Sequence, residues 1–141
     1  MHYISPYVTM KTKTIFPDYQ KESKIIPKYA SLDKYAQICL MIIWINKKNI
    51  RRAVKQIDPK AKITYRYTFN KLMNIKRVHL KDCWGQADET GIDIAYVNMT
   101  ESFLIGTILH ETLHNLAFHA DNTPFTEEED HRFMAILGED C

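Results

Sequence analysis

The residues with the most recognisable chemistry form one short segment, His110-Glu111-Thr112-Leu113-His114. On a helix, at about 100° per residue, its two histidines lie about 40° apart on one face, one turn from each other. Two imidazoles placed in this way can occupy neighbouring corners of a tetrahedral zinc ion. Glu111 lies at the edge of that face, where its carboxylate can take a proton from a zinc-activated water as a general base. The resulting hydroxide would attack a carbonyl polarised by the metal, so the segment predicts a zinc hydrolase.

The surroundings of this segment favour a real metal site over a chance match. The bare pattern would arise by accident in a chain of this composition at a frequency on the order of 1 in 70. Here it lies in the middle of a predicted helix, which begins with Thr100 as N-cap and Glu101 in the first turn and continues to about His119. The opposite side of that helix carries apolar residues for a core, namely Ile105, Ile108, Leu109 and Leu116.

A third metal ligand has to come from farther along the chain. His119 falls about 180° from His110 on a continued helix, which favours a surface or C-capping role for it. His131 is expected on the next helix, after a loop long enough to bring that helix back across the first, and it is the favoured third ligand. The alternatives are the glutamates at the start of the same helix, Glu127, Glu128 and Glu129. Three protein ligands and a water form the open geometry of a catalytic zinc site.

The stretch from His110 to Asn115, together with Asp130-His131-Arg132-Phe133-Met134, resembles the SprT-like and WLM metalloproteases. In that family a third histidine, followed within a few residues by phenylalanine, completes the zinc site. The resemblance covers about residues 84–137 and implies a minimal zincin fold, a Zn2+ cofactor and peptide hydrolysis, for some members in proteins crosslinked to DNA. Phage and prophage proteins with a downstream Glu-Glu helix are also similar and would place the third ligand on a glutamate. Repressor-cleaving peptidases of the ImmA type are similar as well.

The elements that must position these residues follow an α+β order. Ser31 is a candidate N-cap for a first helix that runs without proline or glycine to about Ile57. Period-two alternation predicts a strand over residues 63–69 and another over residues 92–97, with a shorter strand expected around residues 76–80. Thr126, followed by three glutamates, predicts a last helix that ends near Leu137.

Two segments with different roles are expected along the chain. Residues 1–30 contain three prolines and are expected to form an extended N-terminal arm. Residues 31–141 are expected to form one minimal zincin-like metallopeptidase domain with an N-terminal helix, a small sheet, the active-site helix and a C-terminal helix.

The charge of the chain is unevenly distributed. Residues 1–84 contain 18 of the 19 lysines and arginines but only five of the 17 acidic residues, so a net charge of +2 hides a basic half and an acidic half. The basic half is compatible with nucleic acid, and basic residues between 47 and 55 recur at i, i+4 spacing.

Three distant cysteines predict neither a zinc ribbon nor a disulfide framework. No signal peptide or membrane span is evident, so we expect a soluble intracellular protein, cytoplasmic or associated with the nucleoid or nucleus, with no membrane partner.

The sequence therefore predicts a zinc metallopeptidase that acts on a protein or peptide, which could itself be associated with DNA. An alternative is a non-catalytic protein in which zinc serves a structural or binding role, for instance in a viral or phage assembly. Another is a DNA-binding protein in which the metal motif is incidental. The sequence does not predict the oligomeric state.

Overall fold

The structure is a computed structural model that describes residues 24–138. Five helices lie within this range: α1 (Asp33–Ile45), α2 (Lys47–Ile57), α3 (Tyr65–Met73), α4 (Glu101–His114) and α5 (Glu127–Leu137). Seven short strands accompany them: β1 (Ile25–Ile26), β2 (Lys62–Ile63), β3 (Ile75–Val78), β4 (Gly85–Ala87), β5 (Ile92–Ala95), β6 (Met99–Thr100) and β7 (Ala117–Phe118). The α+β class predicted from the sequence is confirmed.

A three-stranded sheet and helix α4 form the centre of the molecule. The sheet has the order β3-β5-β4, with β3 parallel and β4 antiparallel to β5. Helix α4 packs against β4 and β5 on one side and against α1 on the other. Its core residues Leu104, Ile105, Ile108 and Leu109 are fully buried together with Ile92 and Ile94 of β5. The helix that carries the metal motif is therefore held by the main hydrophobic core, which limits its movement.

The long first helix predicted from the sequence is in fact two helices. The break falls at Asn46, whose side chain is buried and whose Nδ2 donates a hydrogen bond of 2.7 Å to the carbonyl oxygen of Ile42. An asparagine side chain that bonds the preceding turn competes with the backbone for the same carbonyl, which favours an interruption. The predicted N-cap is wrong by one residue, because helix α1 begins at Asp33 with Leu32 as its N-cap. Ser31 Oγ still accepts a hydrogen bond of 3.3 Å from the amide of Asp33.

The strand predicted over residues 63–69 is wrong beyond its first residue. Only Lys62–Ile63 is extended, and it pairs with β7, while Tyr65–Met73 is helix α3. The same residues also fit a helical period, because Thr68 and Leu72, one turn apart, are 1% and 3% exposed. Phe69, which a strand would have buried beside Tyr65, is 45% exposed. Packing on one helical face outweighed the alternation of β-branched and aromatic residues.

The other predicted elements are confirmed with shifted ends. The strand expected over residues 92–97 is the four-residue β5, and the short strand expected near residues 76–80 is β3. Helix α5 begins with a capping box, in which Thr126 Oγ1 accepts from the amide of Glu129 and the Glu129 carboxylate accepts from the amide of Thr126. It ends at Gly138, whose φ of 79° is the left-handed conformation that glycine adopts most readily.

Most of the predicted N-terminal arm, residues 1–23, lies outside the described residues. The part of it that is described belongs to the folded unit, because β1 pairs antiparallel with β6 and Ile26 is 3% exposed. Among the helices formed by residues 24–138, none has both the length and the apolar character to cross a membrane.

Candidate metal centre

Helix α4 presents the two histidines of the motif on one face, at its C-terminal end. The helix begins where Thr100 Oγ1 accepts a hydrogen bond from the amide of Phe103, as its predicted capping role requires. It ends at His114, with Asn115 as C-cap, and not near His119 as expected from the sequence. The chain instead turns into β7, which pairs with β2 and takes His119 away from the axis of α4.

The two imidazoles have the spacing of paired metal ligands. The Nε2 atoms of His110 and His114 are 3.0 Å apart, and the ring centroids are 4.6 Å apart. Two nitrogens bound to one tetrahedral zinc at about 2.0–2.1 Å would be roughly 3.3 Å apart, so a shift of a few tenths of an ångström would accommodate the ion. Within residues 24–138, His110, Glu111 and His114 are the one group of at least three candidate ligands whose donor atoms lie within 4.8 Å of one another. Two imidazoles and a carboxylate suit zinc, so the donor set fits the predicted cofactor.

Glu111 is the buried carboxylate of this group. It is 8% exposed, and its Oε1 lies 3.9 Å from His110 Nε2, beyond the range of a direct hydrogen bond. Burial raises the pKa of Glu111, and the neighbouring Asp130 raises it further, while the charge of His114 opposes both. A carboxylate with a raised pKa is a stronger base than an exposed one, which suits the role predicted for Glu111.

The side chain of Glu111 is confined by strand β4. A Cβ added at Gly85 would come within 2.9 Å of Thr107 Cγ2 and 3.1 Å of Glu111 Cγ. Real Cβ atoms essentially never approach another heavy atom as closely as 2.9 Å, so only glycine lets the strand lie this near to the helix. The close approach places the backbone of β4 directly beside the candidate base.

Asp130 of α5 belongs to the centre, although the sequence alone did not indicate it. Its Oδ2 lies 2.5 Å from His114 Nδ1, the ring nitrogen on the other side of the imidazole from His110. Burial lowers the pKa of His114, but the hydrogen bond and charge of Asp130, helped by Glu111, outweigh it and raise the pKa overall. A carboxylate that holds Nδ1–H leaves Nε2 as the nitrogen that can bind a metal, an arrangement common around zinc.

The helical period of α5 explains why Asp130 reaches the centre and His131 does not. Phe133, Met134 and Leu137 form the buried stripe of α5, and Asp130 lies on it at i−3, i−4 and i−7. His131 is about 100° away from Asp130 around the helix and is exposed. In the sequence, the apolar residues at positions 133, 134 and 137 mark the inward face of this helix. The helical period extends that face back to Asp130, which could therefore have been identified from the sequence.

The alternative glutamate ligands also lie away from the imidazoles. Glu127 and Glu128 are exposed in the first turn of α5. Glu129 Oε1 accepts from the amide of Thr126 at 2.9 Å and contacts His119 Nε2 at 3.0 Å. None of these glutamates joins the group formed by His110, Glu111 and His114 within the described range.

A free strand edge and an aromatic pair flank the centre. Strand β4 is at the edge of its sheet in the part of the chain that the structure describes. Trp84 O accepts a hydrogen bond from the amide of Ala95, and the amide of Asp88 donates one to Gly91 O. In an antiparallel pair the backbone groups of successive residues point alternately toward and away from the partner strand, so those of Gly85 and Ala87 point away from β5. At the start of this strand Trp84, 57% exposed, makes an edge-on contact with Phe103 of α4, with ring centroids 5.5 Å apart.

Comparison with known proteins adds no assignment. No family model matches the chain, no curated protein matches it, and no solved structure matches it. The chemistry of the centre is therefore inferred from the residues themselves.

Proposed function

We propose that this protein is a zinc-dependent metallopeptidase in which His110 and His114 bind the metal and Glu111 is the general base. The observation that carries the proposal is the pair of imidazole nitrogens 3.0 Å apart beside a buried carboxylate 3.9 Å from one of them. When bound, zinc would lower the pKa of a water and polarise the substrate carbonyl. The chain itself orients the ligands, moves the proton and binds the substrate.

Glu111 accepts the proton of the attacking water and then returns it to the leaving amine. Burial raises the pKa of Glu111, which favours retention of that proton between the two steps. Strand β4 passes close to this side chain at Gly85, and the carboxylate Oε1 lies 3.9 Å from His110 Nε2. Asp130 acts through His114, because its hydrogen bond to Nδ1 fixes the direction of the opposite nitrogen.

The edge of β4 that no strand within residues 24–138 covers favours an extended polypeptide as the substrate. An extended chain can add to an unpaired strand through main-chain hydrogen bonds, for which Gly85 and Ala87 supply donors and acceptors. Gly85 lies against Glu111, so a peptide paired there would place its backbone carbonyls beside the base. The exposed ring of Trp84 at the start of the strand would contact an apolar side chain of the same peptide.

The proposal agrees with the resemblance to SprT-like and WLM metalloproteases in its histidine pair and its base. It differs at the third position, where α5 turns Asp130, and not His131, toward the imidazoles. His131 as a third ligand remains a prediction from the sequence.

A second candidate is a non-catalytic zinc site. The observation in its favour is that the ligand atom of Glu111 lies within 4.8 Å of those of both histidines, so the carboxylate could bind the metal directly. Zinc held by His110, Glu111 and His114 would then stabilise the end of α4 and leave no general base.

Substitution of Glu111 by Gln separates these two functions. Zinc content would be measured on purified wild type, Glu111→Gln and the exposed control Glu128→Gln, together with hydrolysis of quenched fluorescent peptides. If Glu111 is the general base, Glu111→Gln should keep near-stoichiometric zinc, and its rate of peptide hydrolysis should fall at least about 100-fold. The control should behave like wild type. Loss of zinc in Glu111→Gln alone would support the structural site, and a wild type that binds no zinc would overturn both proposals.

A further inference from the structure

Helix α2 carries a basic face that no acidic side chain among residues 24–138 neutralises by an ion pair. Lys48, Arg51 and Arg52 are exposed, and none of them forms an ion pair with another residue in the range 24–138. The opposite face of α2, with Ile50, Ala53 and Val54, is buried against α1 and α5. Cations that project from a rigidly packed helix form a fixed positive surface, which attracts polyanions.

An apolar groove lies next to this basic face, between α1 and α3. Its volume is about 690 Å³, and its lining includes Leu40, Met41, Trp44, Tyr65, Arg66 and Phe69. Trp44 and Met41 are 59% and 53% exposed. Large apolar side chains are rarely left exposed together in a monomer unless they form a binding surface.

Cations join the groove to the basic face. Lys47 Nζ lies 4.4 Å from the ring centroid of Trp44. Burial raises the pKa of Tyr65 in the groove wall, and the charge of nearby Arg51 opposes that rise. Arg66 lines the groove itself. The aromatic side chains of the groove and the cations beside it therefore form one continuous surface.

We propose that this surface binds single-stranded nucleic acid, with bases in the groove on Trp44 and Phe69 and phosphates on the cations of α2 and on Arg66. Single-strand binding sites combine aromatic rings, on which bases stack, with a positive track for the backbone. Three of the five arginines of the chain are here, and the planar guanidinium matches phosphate geometry. The proposal does not depend on the metallopeptidase activity.

Other polyanions fit this surface less well. A duplex offers its phosphates but keeps its bases stacked inside, so it would leave the apolar groove empty. An acidic peptide has no flat aromatic groups to place on Trp44. A basic helix that binds a membrane lays its own apolar face into the lipid, whereas the apolar face of α2 is buried in the core.

The test is fluorescence anisotropy with labelled 15-nucleotide probes of oligo(dT) and oligo(U), a duplex of the same length and poly-glutamate, alongside co-sedimentation with phosphatidylserine vesicles. We expect at least one single-stranded probe to bind at least tenfold more tightly than the duplex, with affinity that falls steeply as salt increases. Zinc-free protein and Glu111→Gln should bind as well as wild type. Equal or tighter binding of the duplex, of poly-glutamate or of the vesicles would overturn the proposal.

Matched variants locate the binding to this surface. The pair Arg51→Glu and Arg66→Glu should weaken single-strand binding at least tenfold, and Trp44→Ala at least about fivefold, because one stacked base is lost. The control pair Lys76→Glu and Lys81→Glu makes the same change in charge at exposed positions on β3 and the loop after it, and should change binding less than twofold. An equal loss in the control would mean a non-specific charge effect and overturn the proposal. If Trp44→Ala does not fold by circular dichroism, Phe69→Ala serves in its place.

Discussion

Removal of the Asp130 carboxylate should weaken zinc binding without removing any zinc ligand. Asp130 Oδ2 lies 2.5 Å from His114 Nδ1, and both side chains are only about one-fifth exposed. A carboxylate in this position fixes the tautomer and the ring orientation of the histidine and increases its basicity as a ligand. In Asp130→Ala the ring can rotate, and its Nδ1–H loses a partner in a site largely shielded from water.

The expected loss of zinc affinity follows from the role of the hydrogen bond between Asp130 and His114. Loss of a carboxylate that orients a ligand histidine typically lowers metal affinity 10- to 100-fold, which corresponds to about 1.4–2.7 kcal/mol. Asp130→Asn should lie at or below the lower end of this range, because the amide oxygen can still accept from Nδ1–H but carries no charge. His131→Ala, one residue farther along α5, should change affinity less than about twofold, because that side chain is exposed.

Zinc dissociation constants would be measured by competition with a chromogenic chelator, with unfolding monitored in the same variants. The order of affinities should be wild type and His131→Ala first, then Asp130→Asn, then Asp130→Ala. If His131→Ala loses zinc and Asp130→Ala does not, the third ligand is the one predicted from the sequence, and the orienting role of Asp130 is refuted. A loss of more than about 1000-fold in Asp130→Ala would instead make Asp130 a direct ligand.

Three further predictions concern the support of the centre. Gly85→Ala should lower peptidase activity and cost about 1–3 kcal/mol of stability while zinc remains bound, because the new methyl group would meet Thr107 at 2.9 Å; unchanged activity would count against the close approach. Phe133→Ala should lower the free energy of unfolding by about 3–5 kcal/mol in a denaturant titration, since the ring is fully buried. The hydrogen bonds of His119, first to Asp58 and then to Glu129, raise the pKa of the imidazole. The His119 contact lowers the pKa of Asp58, and the amide of Thr126, followed by His119, lowers that of Glu129. The stability difference between wild type and His119→Gln should therefore be largest between about pH 4.5 and 6.5, and should shrink above this window as the imidazole loses its proton and below it as the carboxyls gain theirs. A pH-independent difference would mean that His119 stabilises by packing alone.

The histidine pair could be predicted from the sequence because its geometry is local. Residues four apart on a helix are neighbours whatever the rest of the fold does, and Thr100 correctly predicts where that helix begins. The third position depends on how α5 is rotated against α4, and one residue of error changes the direction by about 100°. The sequence predicts His131 on an inward face of α5, whereas the buried stripe of Phe133, Met134 and Leu137 determines the rotation and turns Asp130 inward.

The groove proposed to bind nucleic acid could not be predicted, because it exists only through the conformation of residues 65–73. As a strand, this segment would have placed Tyr65 and Phe69 together on one face of a sheet. As helix α3, it buries Thr68 and Leu72 and leaves Arg66 and Phe69 beside the α1 residues Met41 and Trp44. The basic face of α2 is different, because the spacing of its cations was already evident in the sequence. A charge pattern along one helix is a local property, but the groove beside it is formed by the packing of other helices. Only the structure therefore shows that the basic face of α2 lies next to an apolar groove.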